Sequence, residues 1–372
     1  MDVNAPSALL GGLSPQRFMQ RHWQKTPLLV RQALAGGEAL LSRAALFELA
    51  SRDDVESRLV ARQGRQWQVR SGPLARRALP PIRQGCWTLL VQGVDLHVAA
   101  AHELLARFRF VPDVRLDDLM ISWAAHGGGV GPHLDSYDVF LLQLQGRRRW
   151  RIGRAADRTL VDGAPLKILR HFEPEHDWLL EAGDMLYLPP GWGHDGVAEG
   201  ECMTASVGFR APTDEGLARE LLQRLAEGDE IPGRLYRDRA QAATAAPAAM
   251  PEALLQFAAQ ALQRVLNEPG ALARALGEVC SEPKPQVWFT PGAARSAQQG
   301  VRLDAKTRML YDERRIFING EAFDAGGRDA RLMRHLADAR MLGARDCAAL
   351  SPAAQALLAG WLHSGWLHGG MA

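Results

Sequence analysis

"GPHLDSYDVFLLQLQGRRRWRIG", residues 131–153, sets a histidine and a carboxylate, His133 and Asp135, on either side of one leucine at the head of an apolar run. On a strand, successive side chains point to opposite faces. His133 and Asp135 therefore share a face, and Leu134 takes the other. Two metal-capable groups one strand repeat apart can fill adjacent coordination positions. A third ligand must come from elsewhere. His194 in "YLPPGWGHDG" (187–196) is the candidate, because a strand and a tight Pro/Gly turn can return it beside the first strand. Two imidazoles and one carboxylate on one face of an octahedron leave three positions open, the arrangement of non-haem Fe(II) oxygenases. A structural zinc site would instead be saturated, usually by cysteines.

The rest of the run supplies context. Its even-numbered residues, Phe140 to Ile152, are apolar apart from Arg148 and Gly146; its odd-numbered residues end in Arg147, Arg149 and Arg151. The first set reads as a core face and the second as solvent-facing. An arginine on a core face is costly unless paired. A ligand carboxylate would pair Arg148 in a two-pronged fork. An internal Arg–Asp bridge, or a bulge at Gly146 that resets the alternation, are the competing explanations.

Outward from this block, "WTLLVQGVD", "LMISWAA", "DMLYLPP" and "MTASVGF" read as further strands bounded by Gly, Pro and Asp. Helical patterns flank them in "SPQRFMQRHWQ" and "AAAHELLARFRF". "RQGRQWQVRSGPLARR" mixes arginine with tryptophan and reads as a solvated strand edge, with RNA contact as the functional alternative. "GGG" at 127–129 is followed by no G-K-[ST] and gives turning room rather than a phosphate loop. His126, His171 and His176 sit in polar settings and read as solvated.

Beyond residue 212 the character changes. Residues 213–229 form an amphipathic helix with Thr213 as N-cap. An Ala/Pro-rich linker follows, then helices at about 251–267 and 270–280 whose wide apolar faces suit a second copy of the chain. From about 284, "RMLYDERRIFINGEAFD" reads as hairpin strands with a type I′ turn at Asn319-Gly320, and "RDARLMRHLADAR" and "SPAAQALLAGWLHSG" as helices. Together these make a winged-helix-like module. Two aspartates offset half of the four arginines in its first helix, and the second carries no cation other than a histidine, so DNA binding is not expected.

The chain has 372 residues and a formal net charge of +2, which makes no general case for nucleic acid or membrane. No apolar run approaches the roughly 20 residues of a bilayer span, and the N-terminus lacks a secretory pattern. Cys86, Cys202, Cys280 and Cys347 form no C-x-x-C pair and read as free thiols in a cytoplasmic protein.

The H-x-D-to-Arg148 block and "GDMLYLPPGWGHDG" (183–196) resemble the JmjC-type, cupin-fold 2-oxoglutarate oxygenases. More closely, from "RHWQKTPLLVR" (21–31) through "SVGFRAP" (206–212), the chain resembles the bacterial ribosomal oxygenases, which hydroxylate the β-carbon of an arginine in the sixteenth protein of the large ribosomal subunit. The resemblance implies an α+β protein: a double-stranded β-helix catalytic domain over 1–212, a helical dimerisation segment over 213–283, and a winged-helix-like domain over 284–372. It implies a homodimer with no membrane association. It implies Fe(II) on His133, Asp135 and His194, with 2-oxoglutarate and dioxygen as cosubstrates. Arg148 would take the distal carboxylate of 2-oxoglutarate; Asp118 and Tyr137 would meet the substrate arginine. The chain departs from some relatives in having Ala124 where they place a serine, which would remove a hydroxyl contact to the cosubstrate. Two other functions fit the same residues: hydroxylation of histidine or another residue in a different ribosomal protein, and a non-catalytic cupin/winged-helix DNA-binding regulator.

Overall fold

The computed structural model describes residues 2–35, 40–64, 66–227, 233–292 and 299–370. The chain folds as two compact units, Met1–Ala211 with Pro285–Trp288, and Pro212–Lys284 with Phe289–Ala372. Among the described residues no helix is long and apolar enough to cross a membrane.

The first unit is built on a ten-stranded sheet curled into a double-stranded β-helix. Its strands are β1 (Leu28–Val30), β2 (Ser57–Gln63), β3 (Gln66–Ser71), β4 (Trp87–Val91), β5 (Leu116–Ala124), β6 (His133–Leu134), β7 (Val139–Arg154), β8 (His176–Leu180), β9 (Met185–Leu188) and β10 (Trp192–Phe209). The order is β1-β9-β7-β10-β5-β4-β2-β3, with β6 on β10 and β8 on β7. β7 and β10 pair along nearly their whole length, from Arg154↔Trp192 to Val139↔Gly208. The remainder of the barrel is arranged around this ribbon.

Helices Pro15–Arg21, Arg43–Leu49 and Ala99–Ala106 pack on the sheet. The first two begin at serine caps, Ser14 and Ser42, whose hydroxyls accept from the N–H groups of Arg17 and Ala45. Phe18 leaves the first helix to meet Phe140 and Tyr187, with ring centroids 5.3 and 4.9 Å away. Phe140, Leu142 and Leu144 belong to this core.

The expected alternation along β7 holds only as far as Gly146. Val139 and Leu141 share a second apolar cluster with Trp150 and Ile152, so the inward face passes from odd to even numbers. Gly146 adopts φ +66°, and the pairing with β10 shifts register beside it. A Cβ at Gly146 would sit 2.1 Å from the Glu201 carbonyl oxygen, so only glycine fits. The bulge is present, and it turns Arg148 onto the face of Val139 and Leu141 rather than that of Phe140. The triple glycine is also more constrained than turning room implies. A Cβ on Gly128 or Gly129 would strike the carbonyl oxygen of Trp87 or Gly196, at 2.3 and 2.4 Å.

In the second unit, helices Asp214–Glu227, Glu252–Leu266 and Ala271–Ser281 come first. Thr213 caps the first by accepting from the Gly216 N–H at 3.0 Å. Gly228 and Asp229, at the end of the expected helix, lie outside the described residues. A three-stranded meander follows, Met309–Tyr311, Arg315–Ile318 and Glu321–Asp324. Asn319 and Gly320 both have positive φ, as a type I′ turn requires. Helices Gly327–Ala339 and Pro352–His363 close over a core that includes Leu336, Leu358 and Trp361, completing a winged-helix arrangement.

Candidate metal centre

The short strand β6 lies against the start of β10, with His133 directly opposite His194. A turn through Pro189, Pro190 and Gly191 delivers the second histidine; the Gly191 N–H donates to the Asp135 carbonyl at 2.9 Å and ties that turn to the motif. The imidazole centroids are 4.1 Å apart. Asp135 Oδ2 lies 3.5 Å from His194 Nε2 and 3.9 Å from His133 Nε2. One ligand atom from each of the three lies within 4.8 Å of the others.

The hydrogen bonds fix the tautomers. His133 Nδ1 faces the Gly131 carbonyl at 2.9 Å and His194 Nδ1 faces the Trp192 carbonyl at 3.1 Å. A carbonyl only accepts, so each Nδ1 carries a proton and each Nε2 is the nitrogen turned toward Asp135 and available to a metal. Burial, with His133 alongside, pushes the His194 imidazole well below its ordinary pKa and keeps it neutral. Burial pushes the Asp135 carboxyl upward, opposed by His133 and by a hydrogen bond from Tyr137. Two imidazole nitrogens and one carboxylate, converging on one point, fit a divalent transition metal bound through three positions. Among the described residues no other histidine, cysteine or acid joins this cluster. His126 instead accepts from the Gly200 N–H, and His176 stacks on Trp178.

The three residues line a cavity of about 380 Å³ that also takes in Arg148, Ser122, Thr204, Asp118 and Tyr137. Arg148 is 3% exposed. Its Nη1 donates to Ser122 Oγ and its Nη2 to the Gly196 carbonyl, both at 3.2 Å; its guanidinium lies 5.0 Å from the Trp150 ring centre. Among the described residues no carboxylate pairs with it, and its Nε has no partner. Burial lowers its pKa, although arginine keeps its proton. An orphaned, buried guanidinium beside a metal-capable triad fits an acidic ligand. Gly196 makes the space: a Cβ there would come within 2.8 Å of Arg148 Nε and 2.6 Å of Trp150.

Ser122 escaped the sequence reading. The hydroxyl thought missing at Ala124 is supplied two residues earlier on the same face of β5, while Ala124 packs against Ala198 and Cys202. Strand alternation from Asp118 through Met120 would have pointed to it. Gln143 and Thr204 were also missed. They are buried and joined by a 3.0 Å bond from Thr204 Oγ1 to Gln143 Oε1.

Asp118 and Tyr137 line the same cavity. Asp118 is buried, and its Oδ2 accepts from the Gly93 N–H at 3.0 Å. The Gln92 amide, oriented to satisfy both its atoms, donates to Asp118 Oδ2 at 3.3 Å and accepts from Arg58 Nη2 at 2.9 Å. Asp118, on strand β5, is thus tied to Gly93 and presented to the cavity at once. Tyr137 is 39% exposed; desolvation and the charges of Asp135 and Asp118 push its phenol pKa upward, so it stays protonated. Next to it, Asp138 is fully buried and accepts from Tyr187 Oη at 2.6 Å and Gln24 Nε2 at 3.0 Å, which anchors the chain beyond the triad.

Residues 103–217 match the JmjC domain family and residues 262–368 the ROXA-like winged helix. The chain is 35% identical over 329 residues to the ribosomal protein uL16 3-hydroxylase of Escherichia coli (strain K12), covering 84% of this chain and 86% of that protein. It is 29% identical over 340 residues to a probable ribosomal oxygenase of Haemophilus influenzae, covering 84% and 82%. The solved structure of YcfD, a ribosomal oxygenase from Escherichia coli in complex with cobalt and 2-oxoglutarate, superposes with a TM-score of 0.82 at 33% identity, over 96% of this chain and 98% of that one.

Proposed function

Since this chain belongs to the ribosomal oxygenases, the JmjC 2-oxoglutarate-dependent hydroxylases of ribosomal proteins, we propose that its substrate is an arginine of ribosomal protein uL16, hydroxylated at the β-carbon. The observation that carries this reading is the acidic cavity wall around Asp118, with the Tyr137 ring beside it. A carboxylate pairs with a guanidinium and a phenol ring stacks on one. A histidine substrate would be better served by neutral acceptors, and the Gln92 amide is already engaged by Arg58 and Asp118.

His133, Asp135 and His194 would hold Fe(II). With 2-oxoglutarate and dioxygen as cosubstrates, the metal would supply the oxidising power for inserting one oxygen atom into a C–H bond, the other being kept in succinate with release of CO₂. Arg148 and Ser122 would bind the distal carboxylate of 2-oxoglutarate and set its reach to the metal. The apolar walls, Val139, Leu141 and Trp150, exclude water from the reacting centre. Asp118 and Tyr137 would orient the substrate side chain, so that one carbon is offered to the oxidant.

The chain is proposed to act in the cytoplasm as a homodimer. Leu255, Leu262 and Leu272 are 65%, 61% and 49% exposed on the helices before the winged module, an apolar face that a second copy would cover. The DNA-regulator alternative has no comparable support.

The test is incubation of the purified protein with iron, 2-oxoglutarate and uL16 peptides, read by mass spectrometry. Gain of one oxygen on the arginine is expected. No gain there, with turnover on a histidine peptide, rejects the substrate assignment.

A further inference from the structure

From Ser57 to Val94 the chain contains no aspartate or glutamate, although Arg58, Arg62, Arg70, Arg76, Arg77 and Arg83 fall within it. Arg65 adds a further cation in the sequence and lies outside the described residues. Since the whole chain carries only +2, the remainder is net acidic. This stretch folds as the β2–β3 ribbon, the loop after it and strand β4; all its arginines precede β4, and β3 is the last strand of the sheet. Arg62, Arg70, Arg76, Arg77 and Arg83 are exposed, and among the described residues none of them forms an ion pair. Such a concentration of uncompensated charge on an edge is a surface for a polyanion.

The ribbon also borders the active cavity. Arg58 lines that cavity, and Arg58, Val60 and Arg62 share the face of the sheet that continues into it. Across from Arg62 stands Trp67, whose ring lies 5.5 Å from the Arg62 guanidinium. The same indole packs against Gly131, where a Cβ would come within 2.9 Å of it, two residues before His133. A guanidinium over an indole is a platform on which an unpaired base can stack. Of the ribbon's described cations Arg58 alone lines the cavity, where Gln92 links it to Asp118; the others are exposed beside it. An RNA strand accompanying a ribosomal protein would be held by them.

We propose that the β2–β3 ribbon and its following loop bind single-stranded RNA, independently of which residue the enzyme hydroxylates. The test is fluorescence anisotropy of a labelled single-stranded RNA with the full chain and with the triple variant Arg62→Gln, Arg77→Gln, Arg83→Gln. These three side chains make no hydrogen bond among the described residues, so the fold should survive. A matching Arg→Lys triple keeps the charge. Losing three phosphate contacts should lower the slope of log affinity against log salt by about 2 and weaken binding at least tenfold, while the Lys triple keeps the parent's slope. Hydroxylation of a free peptide should be equal in all three proteins. Absence of saturable RNA binding, or equal binding by the Gln triple, overturns the proposal. Displacement of the RNA by polyglutamate at equal charge concentration overturns it too, in favour of an acidic protein partner.

Discussion

Arg148→Met tests the cavity chemistry most directly, because it should produce two effects of opposite sign. In the protein without cosubstrate, Arg148 is a buried cation with one serine hydroxyl, one carbonyl and no carboxylate. Replacing such a charge with an apolar side chain of similar volume is neutral or stabilising, by about 1–4 kcal/mol in buried ion-pair cases. With cosubstrate the sign reverses. Two charge-assisted hydrogen bonds to a carboxylate, at about 1.5–3 kcal/mol each, are lost. At about 1.4 kcal/mol per decade, affinity for 2-oxoglutarate should fall by roughly two to four orders of magnitude.

Both effects can be read without turnover. Calorimetric titration of 2-oxoglutarate, with a redox-inert divalent cation present, gives the affinity. A ligand at a hundred times its Kd stabilises by about 2.7 kcal/mol, which at about 2–4 °C per kcal/mol for a unit of this size is a Tm shift of about 5–10 °C. The parent should show that shift and the variant should not. Arg148→Lys should fall between them, since an ammonium restores the charge without the fork. If the Met variant binds 2-oxoglutarate within threefold of the parent, Arg148 does not hold the cosubstrate. If it melts well below the parent when both are unliganded, the guanidinium is a structural element and the reasoning from its unpaired burial is wrong.

Four further outcomes are expected. His133→Ala should abolish hydroxylation and the thermal shift produced by divalent metal while leaving the circular dichroism unchanged; a retained metal shift would remove His133 from the ligand set. Asp118→Asn should raise the KM for an arginine peptide about ten- to hundredfold, the value of one charge-assisted bond, with no change in the KM for 2-oxoglutarate, so a shift in both would mark a general collapse of the cavity. Gly146→Ala should cost more than about 2 kcal/mol in a urea melt, since left-handed strain adds to the Glu201 clash, and an unchanged midpoint would mean that the bulge is not rigid. Burial alone would raise the Asp184 carboxyl, but the N–H groups of Glu181 and Gln32 and the Arg31 guanidinium outweigh it and hold its pKa below the ordinary value. Its stabilisation is complete above the unfolded carboxylate pKa of about 3.9 and is lost as pH falls through the lower folded value. Asp184→Asn should therefore be less stable by about 1–3 kcal/mol at neutral pH, with the gap closing as the pH falls through the folded pKa, and a pH-independent gap would contradict the shift.

The triad was legible because it needs only two local rules. A period of two puts His133 and Asp135 on one face, and a Pro/Gly turn before a strand returns His194. The structure brings these three together. Arg148 was legible as a misplaced charge, yet by an alternation that does not hold through Gly146. What made the reading wrong in detail is non-local. Gly146 needs glycine because of Glu201, 55 residues later in the chain, and a single sequence carries no sign of that approach. Ser122 was hidden for a different reason. The family comparison directed attention to Ala124, whereas the period of β5, counted from Asp118, leads to Ser122 directly. The Arg58–Gln92–Asp118 chain was beyond reach, because it joins strands β2, β4 and β5 through their pairing.

The bulge explains how one ribbon serves two ends of a cavity. On β10 the even-numbered residues face inward on both sides of the irregularity: His194 and Gly196 at one end, Thr204, Ser206 and Gly208 at the other. On β7 the inward residues are Val139 and Leu141 before Gly146, and Arg148 and Trp150 after it. Without the change of phase, a β7 that kept Val139 and Leu141 in the cavity would send Arg147, Arg149 and Arg151 inward and Arg148 outward. Three unpaired arginines would then face His194 across the strand pair. In the folded protein those three point away from the cavity, and Arg149 and Arg151 pair with Glu199, Asp177 and Asp195 on the outer face. One glycine in a left-handed conformation thus sorts four neighbouring arginines, leaving one of the four inside where a carboxylate would need it.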